Sequence, residues 1–177
     1  MGTVRAGLDA ALVAEPDSIP LRMAEAEFFT LRKQYDQAQA VYASVIQRDP
    51  RNIVALNNLA WVLAADPATA ERSLELVGRA TREDGLTGEL LDTRARARIT
   101  LKQFQEAEQD LREALAIEPT ALRWFHMAVL KTAQGQKPEA AKAFREARTR
   151  GLDSRVIHPA DLPTFRILEA EGSLSLR

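Results

Sequence analysis

The sequence predicts an all-α protein in which antiparallel helix pairs stack into a solenoid, and three observations carry that expectation. The helix-stopping residues Pro16, Pro50, Gly85, Pro119 and the Gly151-Leu152 pair recur at intervals of 33 to 35 residues. A fixed period in that range is the mark of a repeat architecture. Side-chain size repeats with the same period. Ala38, Ser73, Ala107 and Ala140 stand twelve residues before a stop, and Tyr42, Val77, Leu111 and Phe144 stand eight before it. Ala11, Val45, Ala80, Ala114 and Ala147 stand five before. The clearest unit, "QFQEAEQDLREALAIEP" from Gln103 to Pro119, sets Phe104, Ala107, Leu111, Ala114 and Leu115 on one face of a helix. Their spacing follows a period of about 3.6 residues, and the proline ends the helix.

A second small residue, Ala26, Ala60, Ala95 or Ala128, marks the preceding helix of each unit. Antiparallel helices approach to about 8–10 Å where small side chains face each other. The large residue one turn on then fills the space toward the neighbouring pair. A single hairpin cannot bury its apolar face alone, so the pairs must stack.

In chain order, residues 1–18 read as the second helix of a hairpin whose first helix is missing. The chain is therefore expected to be a piece of a longer array. Repeat 1 covers 19–52, with Phe29 and Tyr35 as aromatic packing. Repeat 2 covers 53–86 and has one extra residue near "AADPATAE", where Asp66-Pro67 reads as a cap and first helical residue. Repeats 3 and 4 cover 87–120 and 121–154. Residues 155–172 read as a capping helix over the last hairpin, and 173–177 as a frayed tail.

These units resemble the tetratricopeptide repeat. The small residues fall at the eighth, twentieth and twenty-seventh places of a 34-residue helix-turn-helix unit, with an apolar or aromatic residue at the twenty-fourth and proline at the thirty-second. The segments "LNNLAWVLA" and "LDTRARARITLKQFQEAEQDLREALAIEP" are similar to bacterial members, and Trp124 holds the family's tryptophan place. The resemblance spans Ile19 to about Ser154. It implies a right-handed superhelix with a concave groove lined by the first helix of each repeat. By register that groove presents Met23, Glu27 and Leu31, then Val54, Asn57 and Trp61. Glu89, Asp92, Arg96 and Thr100 follow in repeat 3, and Leu122, Phe125 and Val129 in repeat 4. Trp61 and Phe125 either anchor a ligand or pack between neighbouring helices, since large aromatics serve both purposes. The family's carboxylate clamp is incomplete: Asn58 matches it, whereas Met23, Glu27, Glu89 and Thr93 stand where the clamp needs amide or basic groups.

The residues favour no catalytic centre. There is no cysteine, and the two histidines, His126 and His158, stand apart without ligand spacing, so neither a metal nor another cofactor is expected. The serines lack a nucleophile-elbow context, and Gly2 to Gly7 lacks the Lys-Ser/Thr of a phosphate loop. With 24 basic and 25 acidic residues, no global field attracts nucleic acid. Arg94, Arg96 and Arg98 do not form a single stripe, because 96 points away from the other two. No apolar run approaches the roughly 20 residues of a membrane span. The compartment stays open. The expected role is a non-enzymatic scaffold that binds a peptide or partner-protein segment in its groove. The alternative is a structural spacer, or a module that self-associates through an exposed Leu8/Leu12 face.

Overall fold

Residues 2–174 are described by the computed structural model, with side-chain surroundings for residues 5–171. Ten α-helices follow one another among them: α1 (Gly2–Ala14), α2 (Ile19–Leu31), α3 (Tyr35–Arg48), α4 (Ile53–Leu63) and α5 (Ala70–Asp84). Then come α6 (Gly88–Thr100), α7 (Phe104–Ile117), α8 (Ala121–Ala133), α9 (Lys137–Thr149) and α10 (Leu162–Leu174). The described residues contain no strand, and none of their helices is long and apolar enough to cross a membrane. The architecture is an α-solenoid in which α2/α3, α4/α5, α6/α7 and α8/α9 are the antiparallel pairs.

Alanine sets where the helices meet. Ala26, Ala60, Ala95 and Ala128 on the first helices are fully buried, as are Ala38, Ser73 and Ala107 on the second. Ser73 adds a direct tie across its pair, its hydroxyl donating to the Ala60 carbonyl at 2.8 Å. Tyr42, Val77, Leu111 and Phe144 are buried between pairs. The first helices stack side by side, α4 on α6 and α6 on α8, and build the inner face.

The helix ends follow from local chemistry. Asn52, Thr87 and Thr120 each accept a backbone N–H three residues on, capping α4, α6 and α8. Three of the intra-pair turns share one geometry. Lys33, Lys102 and Gly135 take positive φ of 60°, 60° and 74°, and the next N–H reaches back to Phe29, Arg98 or Lys131. This is the left-handed helix stop that glycine fits best. The second pair departs from it and corrects the expected helix start at Asp66-Pro67. The Asp66 carboxylate accepts the Ala68 N–H at 2.9 Å in a turn, and α5 begins only at Ala70. A side chain that satisfies its own turn removes the need for a helix there.

Both ends of the chain also differ from the sequence expectation. The Leu8/Leu12 face of α1 is not free. Leu12 is buried, and Arg5 lies over the Phe28 and Phe29 rings of α2 at 5.6 and 5.1 Å. The outward side chain is Val13, 83% exposed. At the other end, two 3-10 turns, Ser154–Val156 and Pro159–Asp161, precede α10. That helix includes residues 173 and 174 of the expected tail, while 175–177 lie outside the described residues.

Candidate functional site on the concave face

The inner face of the first helices has two halves with different occupants. Between α2 and α4 lies an open cleft of about 360 Å³, lined by Glu27, Thr30, Leu31, Tyr42, Asn57, Asn58 and Trp61. Its walls arise from helix periodicity: Glu27 and Leu31 are four apart on α2, and Asn57 and Trp61 four apart on α4. Leu31 is 84% exposed and supplies an apolar lip. Tyr42 rises from α3 to the floor, where the Asn58 amide reaches its hydroxyl at 3.4 Å. Burial pushes the Tyr42 phenol pKa above its ordinary value, so it stays protonated at neutral pH. Asn57 Oδ1 is buried with no hydrogen-bond partner among the described residues. Such an acceptor costs free energy until a donor meets it.

The other half is filled by the chain's own C-terminal segment. The Lys33 ammonium donates to the Ile157 carbonyl at 3.3 Å, across 124 residues of sequence. The His158 ring stacks on Tyr35 at 4.5 Å and meets Trp61 edge-on at 5.3 Å. Burial, with the Arg96 guanidinium nearby, pulls the His158 imidazole down to about 4. Arg96 donates to Asp161 at 2.8 Å and to the Trp61 carbonyl at 3.3 Å, and lies over the Trp61 ring at 5.1 Å. Further along, Phe165 meets Phe125 and Phe144 at 6.0 and 5.5 Å in edge-to-face contacts.

The residues placed in the groove by register therefore divide. Glu27, Leu31, Asn57 and Trp61 come together around the open cleft. Val54, 57% exposed, sits one turn before Asn57 on α4, and Met23 is half-buried against the core of the first two pairs. Three others are corrected. Phe125 is fully buried under Phe144 and Phe165, so its ring is core and offers no surface to a ligand. Asp92 is buried and bonded to His126 Nδ1 at 2.7 Å. Arg96 is buried by Trp61 and Asp161. Val129 is half-buried in the second core.

The other two arginines of α6 are structural. Arg94 grips the buried Asp110 of α7 with two bonds of 3.0 and 2.6 Å, and Arg98 reaches the same carboxylate at 2.6 Å. Sequence reasoning omitted Thr30 and Tyr42 from the site, and Tyr35, His158 and Asp161 from its boundary. Tyr42 carried a signal, since it is the one hydroxyl-bearing member of the large-residue series. His158 and Asp161 carried none, because only the return of the chain brings them near Trp61. Among the described residues no group of three His, Asp or Glu side chains could hold a metal ion.

A solenoid of helix pairs with an inner groove of this kind defines a helical-repeat scaffold, and comparison with known proteins gives the particular class. Profiles described as "Tetratricopeptide repeat" match residues 21–52 and 89–120. The chain thus carries tetratricopeptide repeats in its first and third helix pairs. Its fold is similar to that of TTC0263, a thermophilic TPR protein of Thermus thermophilus, with a TM-score of 0.73 at 21% identity over 96% of this chain and 87% of that one. PilW, a widely conserved type IV pilus biogenesis factor, gives 0.72 at 22% identity over 84% and 69%. A MamA protein gives 0.55 at 18% identity over 74% and 72%. At these identities the likeness concerns the fold. No curated protein has a significantly similar sequence. Repeats of this class generally act as non-enzymatic scaffolds for other proteins.

Proposed function

We propose that the chain binds an extended peptide segment of a partner protein in the cleft between α2 and α4. The observation that carries this reading is the open cleft itself, apolar at Leu31 and Trp61 and lined between them by the Asn57 and Asn58 amide side chains. Amide side chains carry both a donor and an acceptor, which suits them to pair with a peptide backbone independently of its side chains. Leu31 and Trp61 bound space for one apolar side chain of the ligand. Exposed Glu27 at the edge favours a Lys or Arg next to that residue and disfavours a terminal carboxylate.

Panning a displayed random-peptide library on the chain tests the reading. Selected peptides are expected to combine an apolar with a basic residue. Their binding should be lost in Leu31→Glu and weakened in Asn57→Ala, yet kept in Arg112→Glu on α7. Peptides that bind Leu31→Glu as well as wild type would place the contact elsewhere.

The exposed Val13 supports a second reading, in which α1 stacks against a second copy of the chain. Light scattering would then show a concentration-dependent dimer that Val13→Glu returns to monomer. A wild type that stays monomeric throughout removes this reading.

A further inference from the structure

We propose that residues 154–171 form a displaceable strap, an intramolecular occupant of the concave trough that a longer peptide extending from the open cleft must evict. The inference rests on the reading of the trough as a peptide-binding surface and adds what regulates access to it. After α9 the strap first meets the turn after α2, where Lys33 holds the Ile157 carbonyl, and then runs back past Trp61 of α4 and Arg96 of α6 to Phe125 of α8.

Its attachment differs in kind from the pairing that builds the array. Each helix pair is closed by small residues, all fully or nearly fully buried. The strap is held by spaced anchors instead: Ile157, Phe165 and Leu168 as buried apolar groups, and Asp161 as a charge paired to Arg96. Around these anchors Arg155, Val156, Pro159, Ala160 and Arg166 face solvent. Spaced anchors on an otherwise solvated segment are how a bound peptide meets a groove.

The ion pair is a reversible element. Arg96 Nε is buried and has no partner among the described residues while the strap is in place. Removing both charges from water offsets much of their attraction, so release of the strap returns solvation to both. Trp61 links the two halves. It lines the open cleft, and its ring also meets His158 and Arg96 of the strap contact. A ligand that displaces the indole removes the surface on which His158 rests, and a strap that leaves frees the indole for the ligand. That coupling is reciprocal by linkage.

The test uses the full-length chain and a fluorescent synthetic peptide of residues 153–174. Wild type, its trough occupied by its own strap, should bind the peptide weakly. The double variant His158→Ala/Asp161→Ala, with a loosened strap, should bind it about ten-fold more tightly or better. The same peptide carrying Asp161→Ala should lose about ten-fold in affinity for that variant, because Arg96 is left without its partner. Equal binding to both chains, or indifference to Asp161 in the peptide, would overturn the proposal. Should the double variant fail to fold, hydrogen exchange on wild type decides. Amides of α10 exchanging well ahead of those of α8 and α9 support a strap, and exchange in step with them makes the segment ordinary core. Library peptides that still depend on Leu31 would leave the cleft reading intact if the strap fails. Strap behaviour without such peptides would do the reverse.

Discussion

Corresponding places in the two halves of the solenoid have opposite fates. The fifth place of the first helix is Asn57 in α4, half-buried at an open cleft, and Phe125 in α8, with no exposed surface at all. The ninth place is Glu27 in α2, exposed, and Arg96 in α6, buried. Register treats each pair of places as equivalent. The difference lies in what covers them. Phe165 and Leu168 join the core of the last two pairs, whereas the core of the first two ends at the cleft wall with half-buried Met23 and Trp61. A groove position in a repeat protein is thus a statement about the backbone. Whether it binds a partner depends on whether the chain itself already binds there.

Substitutions can break or sharpen this contrast. Phe125→Ala should have the largest effect, a loss of about 3–5 kcal/mol, because it empties a sealed aromatic cluster. Trp61→Ala, at the open side, should cost clearly less in chemical denaturation. Equal costs would mean that the cleft half is sealed too. Asp110→Ala should follow, at about 3 kcal/mol, since it leaves the partly buried Arg94 and Arg98 side by side without their shared carboxylate. Asp110→Asn should recover part of that loss.

Smaller effects separate the halves more finely. Lys102→Gly should stabilise the chain by about 1 kcal/mol, as glycine relieves a positive φ that a side chain resists. Lys33→Gly relieves the same strain and also removes the ammonium that holds the Ile157 carbonyl. Its net gain should therefore be smaller, or reversed. Identical gains at the two turns would mean that the Lys33 contact contributes nothing.

The smallest effect concerns acid. His158 is held down to about 4, below its ordinary 6.5, first by burial and then by Arg96. Lys33 and His126 add slightly to that lowering, while Asp161 opposes it. The released or unfolded form takes up the proton first. The contribution is full above about 6.5 and is lost as pH falls through about 4. Between about pH 7 and about pH 5, the urea midpoint should fall more for wild type than for His158→Gln. Parallel falls would show that the imidazole is not sheltered.

Much of the array was legible because its cause is local and periodic. Alanines at fixed places permit close helix approach wherever they recur, so the pairs could be read without coordinates. The extra residue near Asp66-Pro67 was legible as a break but not as a turn. The competition between the Asp66 carboxylate and the helix ladder depends on backbone geometry, which residue type alone does not set. Of the residues that line the open cleft, Glu27, Leu31, Asn57 and Trp61 were placed on the inner face by register, because nothing intervenes between register and solvent on α2 and α4. Phe125, Asp92 and Arg96 were misplaced for the opposite reason, and Thr30 and Tyr42 were missed because a register lists only the usual lining places.

What the sequence determined by itself is the solenoid: size periodicity compels helix pairs to nest, and nesting compels them to stack. The return of residues 154–171 across the inner face was decided only in three dimensions. Its contacts with Lys33, Tyr35, Trp61 and Arg96 join places that no period relates. A period describes neighbours along the stack, and a segment that crosses the stack answers instead to whichever surfaces lie open when it arrives.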